Sequence, residues 1–313
     1  MESEAKFRYD SSWSTAQTMQ KLSETLSAGN EIVITTSGST GTPKEITLAS
    51  SALIFSARNS NKFVNAKPGD RWSLLLSPEH VAGLNVLVRS IELGTSPVTV
   101  NESSDFTAIV PTQLFRALNG DNQLLDHLRG CRAVLVGGAA SDLKLLDAAK
   151  KAGIKCITTY GMTETCGGCV YDGKPLDGVE IRVADTIQIK GPMLAKVPTV
   201  DGYFVTQDLG KIVDGKLEIT GRADDVIISG GKNISLSAVE NLLGDGIAAI
   251  GIADDEWGTA LHIAVANHLN ETEIQKMLSE AFGIKARAIK SVNEIPRTAI
   301  GKIDRVALGK LLA

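Results

Sequence analysis

Cysteine is scarce in this chain: four residues in 313 are too few for a disulfide framework and point to reduced thiols in a cytoplasmic protein. Long apolar runs are missing too, and nothing approaches the length of a membrane-spanning helix. The opening Met1-Glu2-Ser3-Glu4 is acidic, where a secretory leader carries positive charge, so no signal peptide is expected. Nor is there a basic excess. Thirty-two Lys and Arg against 36 Asp and Glu leave a formal net charge of −4, which argues against nucleic acid as a partner. Aromatics are few, which carries little meaning in a chain so rich in alanine, leucine and valine. Internal repeats and low-complexity tracts are absent as well. The remaining composition is ordinary for a globular protein, and the length suits one large domain or two unequal ones.

The most informative stretch is Thr35-Thr36-Ser37-Gly38-Ser39-Thr40-Gly41-Thr42-Pro43-Lys44. It follows the apolar Ile32-Val33-Ile34, which reads as a strand, and precedes an apolar helical pattern at Leu53, Ile54 and Ala57. Glycines let backbone N–H groups approach an anion, hydroxyls add donors, and a closing lysine suits polyphosphate. The spacing is not that of a Walker A loop, because Pro43 stands where its second glycine belongs and Glu45 follows Lys44. A flexible Gly/Ser linker would not be expected between a strand and a helix. A phosphate loop of a non-Walker kind is the better reading.

Strand-like runs at 32–35, 72–76, 97–100, 108–110, 133–136 and 156–159 alternate with helix-like stretches at 113–118 and 142–152. Ser141-Asp142 can cap the latter helix and Gly153 can close it. Such alternation predicts an α/β domain. After Tyr171 the texture changes to short strands with Asp-Gly turns at 172–173, 177–178, 201–202 and 214–215, which are hairpin signals. From Arg222 onward the order of strands at 226–228, 248–252, 262–265 and 286–291 with helices at 237–243 and 271–282 predicts a compact α+β unit of about ninety residues. The expected division is therefore a large N-terminal domain over 1–221, a hinge at 222–226 and a smaller C-terminal domain over 227–313.

Four further clusters stand out. Thr159-Tyr160-Gly161-Met162-Thr163-Glu164-Thr165 places hydroxyls and one carboxylate at a strand's carboxyl end, where α/β sheets usually bind ligands. A lone glutamate is usually a solvated surface residue; flanked by threonines at a strand end, Glu164 is a candidate Mg²⁺ ligand. Asp208 lies in Tyr203-Phe204-Val205-Thr206-Gln207-Asp208-Leu209-Gly210, and Arg222 heads Gly221-Arg222-Ala223-Asp224-Asp225 before Ser229-Gly230-Gly231. Last comes Pro296-Arg297-Thr298-Ala299-Ile300-Gly301-Lys302-Ile303-Asp304-Arg305. In this order the five motifs resemble the adenylate-forming superfamily of acyl- and aryl-CoA synthetases, amino-acid-adenylating domains and luciferases, from about Glu31 to the end. Within it the chain is most similar to the 2-succinylbenzoate–CoA ligases of menaquinone biosynthesis, in their short actinobacterial form. Pro78-Glu79-His80-Val81-Ala82-Gly83-Leu84 looks like the acyl-pocket motif of that group, and Val110-Pro111-Thr112-Gln113-Leu114 and Val136-Gly137-Gly138-Ala139-Ala140 look like its middle section. The chain starts only about thirty residues before the phosphate loop, as expected of a form shortened at the N-terminus.

The resemblance implies the adenylate-forming fold, with a mobile C-terminal domain, and a two-step reaction that uses ATP, Mg²⁺ and coenzyme A. It implies that Thr35, Thr36, Ser37, Gly38, Ser39, Thr40, Gly41 and Lys44 hold the β- and γ-phosphates. Gly137, Gly138, Ala139 and Tyr160, continuing into Gly161 and Met162, would enclose adenine. Thr163 would contact the α-phosphate and Glu164 position Mg²⁺. Asp208 and Arg222 would reach the ribose, and Asp224 would be the hinge. Lys302 would bridge the attacking carboxylate and the α-phosphate, and Gly230 and Gly231 would line the way for pantetheine. His80, Val81, Gly83, Leu84, Thr165, Cys166 and Gly167 would form the acyl pocket, with a substrate-side role for His80.

Two residues depart from the pattern. Glu45 stands where glycine usually follows the lysine, unhelpful beside a phosphate loop unless it points away, and Gln207 replaces the glycine usual before Asp208. Cys166-Gly167-Gly168-Cys169 lacks the second ligand pair of a zinc site and the context of a redox pair, so small pocket-lining residues are expected there. His127, His262 and His268 read as ordinary packed or surface histidines. Lys232 is either a solvated charge or a phosphate contact for coenzyme A. Two other function classes stay open: an adenylation domain that loads a carrier protein, and a non-catalytic nucleotide-binding module. Expected partners are a small carboxylic acid, ATP and coenzyme A, with self-association open.

Overall fold

A computed structural model describes residues 6–37, 43–138, 143–266, 268–297 and 303–312. They fall into two compact units. The first comprises Met1–Arg182, Gln188–Val205 and Ile212–Leu217, and the second Val183–Ile187, Thr206–Lys211 and Glu218–Ala313.

The first unit is built on a six-stranded sheet. Trp72–Ser73, Phe106–Ile109, Ala133–Val136 and Cys156–Met162 run parallel, and Gly167–Tyr171 and Lys174–Pro175 complete it in antiparallel sense. The inner strands Phe106–Ile109 and Ala133–Val136 are buried along their whole length and, apart from Thr107, apolar, as in parallel sheets covered on both faces. Ile109, Val134 and Val136 pack with Leu114 and Leu128 of the helices Pro111–Leu118 and Asn122–Gly130. The segment at 97–100 is not a strand. Only Val98 bridges, to Ser73, since Pro97 has no N–H with which to extend a ladder.

A second difference concerns the glycine-rich loop. Strand Glu31–Ser37 pairs in antiparallel register with a strand Pro43–Ala49, from Glu31↔Ala49 to Ser37↔Pro43, and only then does helix Ser50–Phe63 begin. Strand Glu31–Ser37 is thus followed along the chain by a second strand and not by a helix. Ile46 and Leu48 alternate with polar neighbours, a period of two, and are buried opposite Ile34 and Ile32. The Asp-Gly hairpin signals hold at three sites, one of them Asp201-Gly202, at φ 53 and 79 between the bridged Val200 and Tyr203. Asp172 and Gly173, and likewise Asp214 and Gly215, both adopt positive φ between paired strands.

In the second unit, Lys232–Ser235, Val226–Ser229, Gly258–Val265 and Ile247–Asp254 form a sheet, with Ala288–Ser291 parallel to Gly258–Val265. Helices Leu236–Leu243 and Glu271–Phe282 bury Val239, Leu243, Ile274 and Leu278 against it. Helix Glu271–Phe282 lies where the sequence placed it. Its start is set by the reciprocal Asn270–Glu273 capping box and its end by Gly283 at φ +63. Helix Arg305–Leu312 packs Leu308 and Leu312 with Ala248 and Ala264. Among the described residues no helix is long and apolar enough to cross a membrane.

Candidate functional site

Strand Cys156–Met162 carries Tyr160, Gly161 and Met162 directly into a 3-10 turn, Thr163–Thr165. The chain reverses through Cys166, at φ 49, and Gly167, at φ 95, then returns as Gly167–Tyr171. Side chains lock this turn. The Thr165 hydroxyl accepts from the Met162 N–H at 2.9 Å and lies 2.7 Å from the Gly167 carbonyl. The Cys166 carbonyl accepts from Asn85 Nδ2 at 2.7 Å and Ser56 Oγ at 3.0 Å. A Cβ on Gly161 would lie 2.1 Å from the Gly167 oxygen, so only glycine fits where the two strands cross. Thr163 and Glu164 are left half-buried. The Glu164 carboxylate has no partner among the described residues, which suits Mg²⁺, an ion usually held by one or two carboxylates plus substrate phosphates.

Gly137 and Gly138 follow the neighbouring strand, Ala133–Val136. Gly137 lies so close to Thr159 that a Cβ there would be 2.2 Å from Thr159 Oγ1. The fold therefore brings the Gly137–Gly138 segment beside the start of the Thr159–Thr165 motif; Ala139 lies outside the described residues. Thr36 and Lys44 face each other on the hairpin, with Thr36 Oγ1 donating to the Lys44 carbonyl at 3.2 Å. Thr35 is exposed, and Gly38, Ser39, Thr40 and Gly41 lie outside the described residues. Side chains alternate along a strand, so Glu45 projects from the face opposite Lys44. There Arg8 holds it in a two-pronged ion pair at 2.6 and 3.0 Å, and this pairing keeps the carboxyl below its ordinary range.

His80 occupies the N-cap of helix Val81–Glu92 without a side-chain capping bond. Gly83 lets that helix seat against the Ser77 backbone, since a Cβ would be 2.2 Å from the Ser77 carbonyl. Val81 is half-buried, Leu84 is buried, and both follow His80 on the same helix. Thr165, Cys166 and Gly167 are fully enclosed, and burial pushes the Cys166 and Cys169 thiols up to about 12. Among the described residues no group of three His, Cys, Asp or Glu could hold a metal ion. His127 is half-buried, with Nε2 2.8 Å from Ser73 Oγ, and burial lowers its pKa.

Sequence reasoning missed Arg89. It lies on the same helix, one turn beyond Asn85, and is only 4 % exposed. Its Nη2 donates to Tyr171 Oη at 3.3 Å and its guanidinium stacks 4.8 Å over the Trp72 ring, yet among the described residues Nε and Nη1 have no partner. Asn85 Oδ1 is likewise buried and unsatisfied. Burial alone holds the Arg89 pKa below its ordinary value. The signal was available in Val86-Leu87-Val88-Arg89, a charge inside an apolar helix run; its missing counter-ion was not.

The second unit holds Asp208 and Arg222. Arg222 Nη1 pairs with the buried Asp208 carboxylate at 2.9 Å, and Thr206 Oγ1 accepts the Asp208 N–H at 3.0 Å while donating to the Ile187 carbonyl at 2.7 Å. Gln207 contributes its carbonyl to the Ala223 N–H at 2.7 Å, with its side chain exposed. Asp224 lies in the 3-10 turn Ala223–Asp225. Gly230 and Gly231, at φ 54 and 77, form the two-residue turn that joins Val226–Ser229 to Lys232–Ser235. Lys232 Nζ donates to the Gly283 carbonyl at 2.7 Å. Lys302 lies outside the described residues.

The AMP-binding enzyme family matches residues 6–192, more than half of the chain. The chain belongs to that family. A protein named probable 2-succinylbenzoate–CoA ligase from Mycobacterium tuberculosis is 37 % identical over 90 % of this chain and 84 % of its own length. The 2-succinylbenzoate–CoA ligase of Listeria monocytogenes is 28 % identical over 87 % of this chain and 68 % of its own. Among solved structures of the family, o-succinylbenzoate CoA synthetase of Bacillus subtilis with its acyl-adenylate superposes at a TM-score of 0.77. It is 26 % identical and matches over 88 % of this chain and 68 % of that one. The same enzyme with ATP and magnesium gives 0.76 at 25 % identity, over 89 % and 69 %. The adenylate-forming enzyme fold is thus the fold of this chain.

Proposed function

We propose that this AMP-binding family member is an acid–thiol ligase acting on 2-succinylbenzoate. The succinyl carboxylate attacks the α-phosphorus of ATP, giving acyl-adenylate and pyrophosphate. The coenzyme A thiol then attacks the acyl carbon, forming the thioester and releasing AMP, and the thiol proton passes to solvent. The observation that carries the choice of acid is Arg89. The substrate has two carboxylates and only one is activated, so the other needs a cation with open donors, which the buried Arg89 guanidinium supplies. Hydrogen bonds to charged groups contribute about 1.5–3 kcal/mol each, enough to select a diacid over a monoacid.

In this reading Thr163 bonds the α-phosphate and Glu164 would hold Mg²⁺. That ion offsets phosphate charge when bound. Tyr160 stacks on adenine beside Gly137 and Gly138, and Lys44 serves the terminal phosphates. Asp208 is oriented by Arg222 and Thr206 to accept the ribose hydroxyls. Lys302 offsets the repulsion between carboxylate and phosphate: two unit charges 4 Å apart interact by about 4 kcal/mol near a protein surface. The setting proposed is the cytoplasm, as part of menaquinone biosynthesis.

Pyrophosphate release with a panel of carboxylic acids, with and without coenzyme A, tests this. Release with 2-succinylbenzoate and thioester formation are expected. Release without thioester would favour loading of a carrier protein, and no release with any acid would leave a nucleotide-binding module.

A further inference from the structure

The described residues on either side of 298–302 are joined to one another. Arg297 bridges Ile303, and the Asp304 N–H donates to the Pro296 carbonyl at 2.9 Å. Arg305 comes next and opens the last helix, where a cation opposes the positive end of the helix dipole. Something must compensate, and the compensation is unusually complete. Arg305 Nη2 meets Asp225 Oδ1 at 2.6 Å, and Nη1 meets Glu240 Oε1 at 2.8 Å and the Ala249 carbonyl at 2.5 Å. Both carboxylates accept further hydrogen bonds. Asp225 Oδ2 accepts the Ser237 N–H at 2.8 Å and the Ser237 hydroxyl, and Glu240 Oε1 accepts the Ala249 N–H at 2.8 Å. Asp225 and Glu240 are 9 % and 15 % exposed at their side chains, so this cluster is only weakly screened.

One guanidinium therefore joins three elements: the turn Ala223–Asp225, helix Leu236–Leu243 and strand Ile247–Asp254. It does so three residues after Lys302 and at the residue following Asp224. We propose that Arg305 is a positioning residue: it fastens the base of the Lys302 segment to the turn at Ala223–Asp225, so that Lys302 is delivered from a fixed base. The proposal rests on the reading of Lys302 as the adenylation lysine. A planar five-donor fork can span both carboxylates, whereas a lysine ammonium cannot, so Arg305→Lys keeps the charge and loses the geometry.

The test measures two half-reactions in the full chain: acid-dependent ATP–pyrophosphate exchange, and thioester formation from supplied acyl-adenylate and coenzyme A. Arg305→Lys and Asp225→Asn should each lower kcat for adenylation about tenfold to a hundredfold, the scale of an ångström-sized misplacement, with the KM for ATP unchanged. Thioester formation should stay within about threefold, which also shows that the variants fold. In a Lys302→Ala background, Arg305→Lys should add nothing, because the group it positions is gone. Equal losses in both half-reactions, or an additive loss in the double variant, would overturn the positioning role. If Lys302→Ala loses adenylation and Arg305→Lys does not, the positioning role alone fails. If Lys302→Ala keeps adenylation, the reading beneath it fails as well.

Discussion

A buried arginine without a carboxylate is expensive, because each open donor forfeits its hydration and two of its nitrogens recover nothing. Under the ligase reading, its open donors serve a substrate carboxylate. Arg89→Met is therefore expected to raise the KM for 2-succinylbenzoate about 10- to 100-fold, the equivalent of one or two charge-assisted bonds. The same keto acid lacking the ring carboxylate should be turned over with little change. Thermal stability should hold or rise, since a well-packed apolar side chain replaces an uncompensated charge; a fall in the melting temperature together with equal losses on both acids would mean a structural role. The thiols make a second prediction at this scale. Cys166 and Cys169 titrate near 12 when folded, against about 9 unfolded. Above pH 9 the unfolded state therefore holds fewer protons than the folded one, and stability falls as pH rises from about 9 towards 12. A denaturant midpoint series across that range should show the decline, reduced in Cys166→Ala. The Cys-x-x-Cys spacing could be read, but that both thiols are buried could not.

At the scale of elements, the turn Thr163–Thr165 depends on two strands approaching within backbone contact at Gly161 and Gly167. Gly161→Ala forces a Cβ to 2.1 Å from a carbonyl oxygen and should destabilise the chain by about 1–3 kcal/mol, read from urea unfolding. It should also disturb adenylation, because Thr163 hangs from that crossing. The hairpin that frames the phosphate loop makes the opposite kind of prediction. Glu45 follows Lys44 directly. Its carboxylate projects from the other face and is neutralised by Arg8. Glu45→Gln should change the KM for ATP by less than about twofold at physiological salt, where exposed charges are screened. A tenfold improvement would show that Glu45 hinders the phosphate loop. The alternation of Ile46 and Leu48 spans too few residues to mark a strand by itself, and its pairing with Ile34 and Ile32 is what fixes it.

For the molecule as a whole, the ligase reading makes Lys302→Ala lose adenylation while sparing thioester formation from supplied acyl-adenylate, since AMP is already a good leaving group in the second step. Loss of both in equal measure would refute the assignment of Lys302 to the first step. Removing Mg²⁺ with a chelator should abolish pyrophosphate release, and Glu164→Gln should raise the Mg²⁺ concentration needed to restore it.

The sequence alone carried the family, the α/β class of the first unit and most of the second unit's elements, but not strand Lys232–Ser235 or helix Arg305–Leu312. Those follow from local signals: apolar runs, Asp-Gly turns, capping residues and motifs read in order. It also named Thr163, Glu164, Asp208, Arg222 and Lys302 as candidates, because polar residues at strand ends and in glycine-flanked loops are visible without coordinates. Only the tertiary structure decided that Arg89 is buried without a counter-ion, that Arg8 takes up Glu45, and that Arg305 joins Asp225 to Glu240. In each case the meaning of a charge lies in its partner, and those partners lie 37, 65 and 80 residues away or, for Arg89, are missing. Pairing across such separations is set by packing, which no local pattern records.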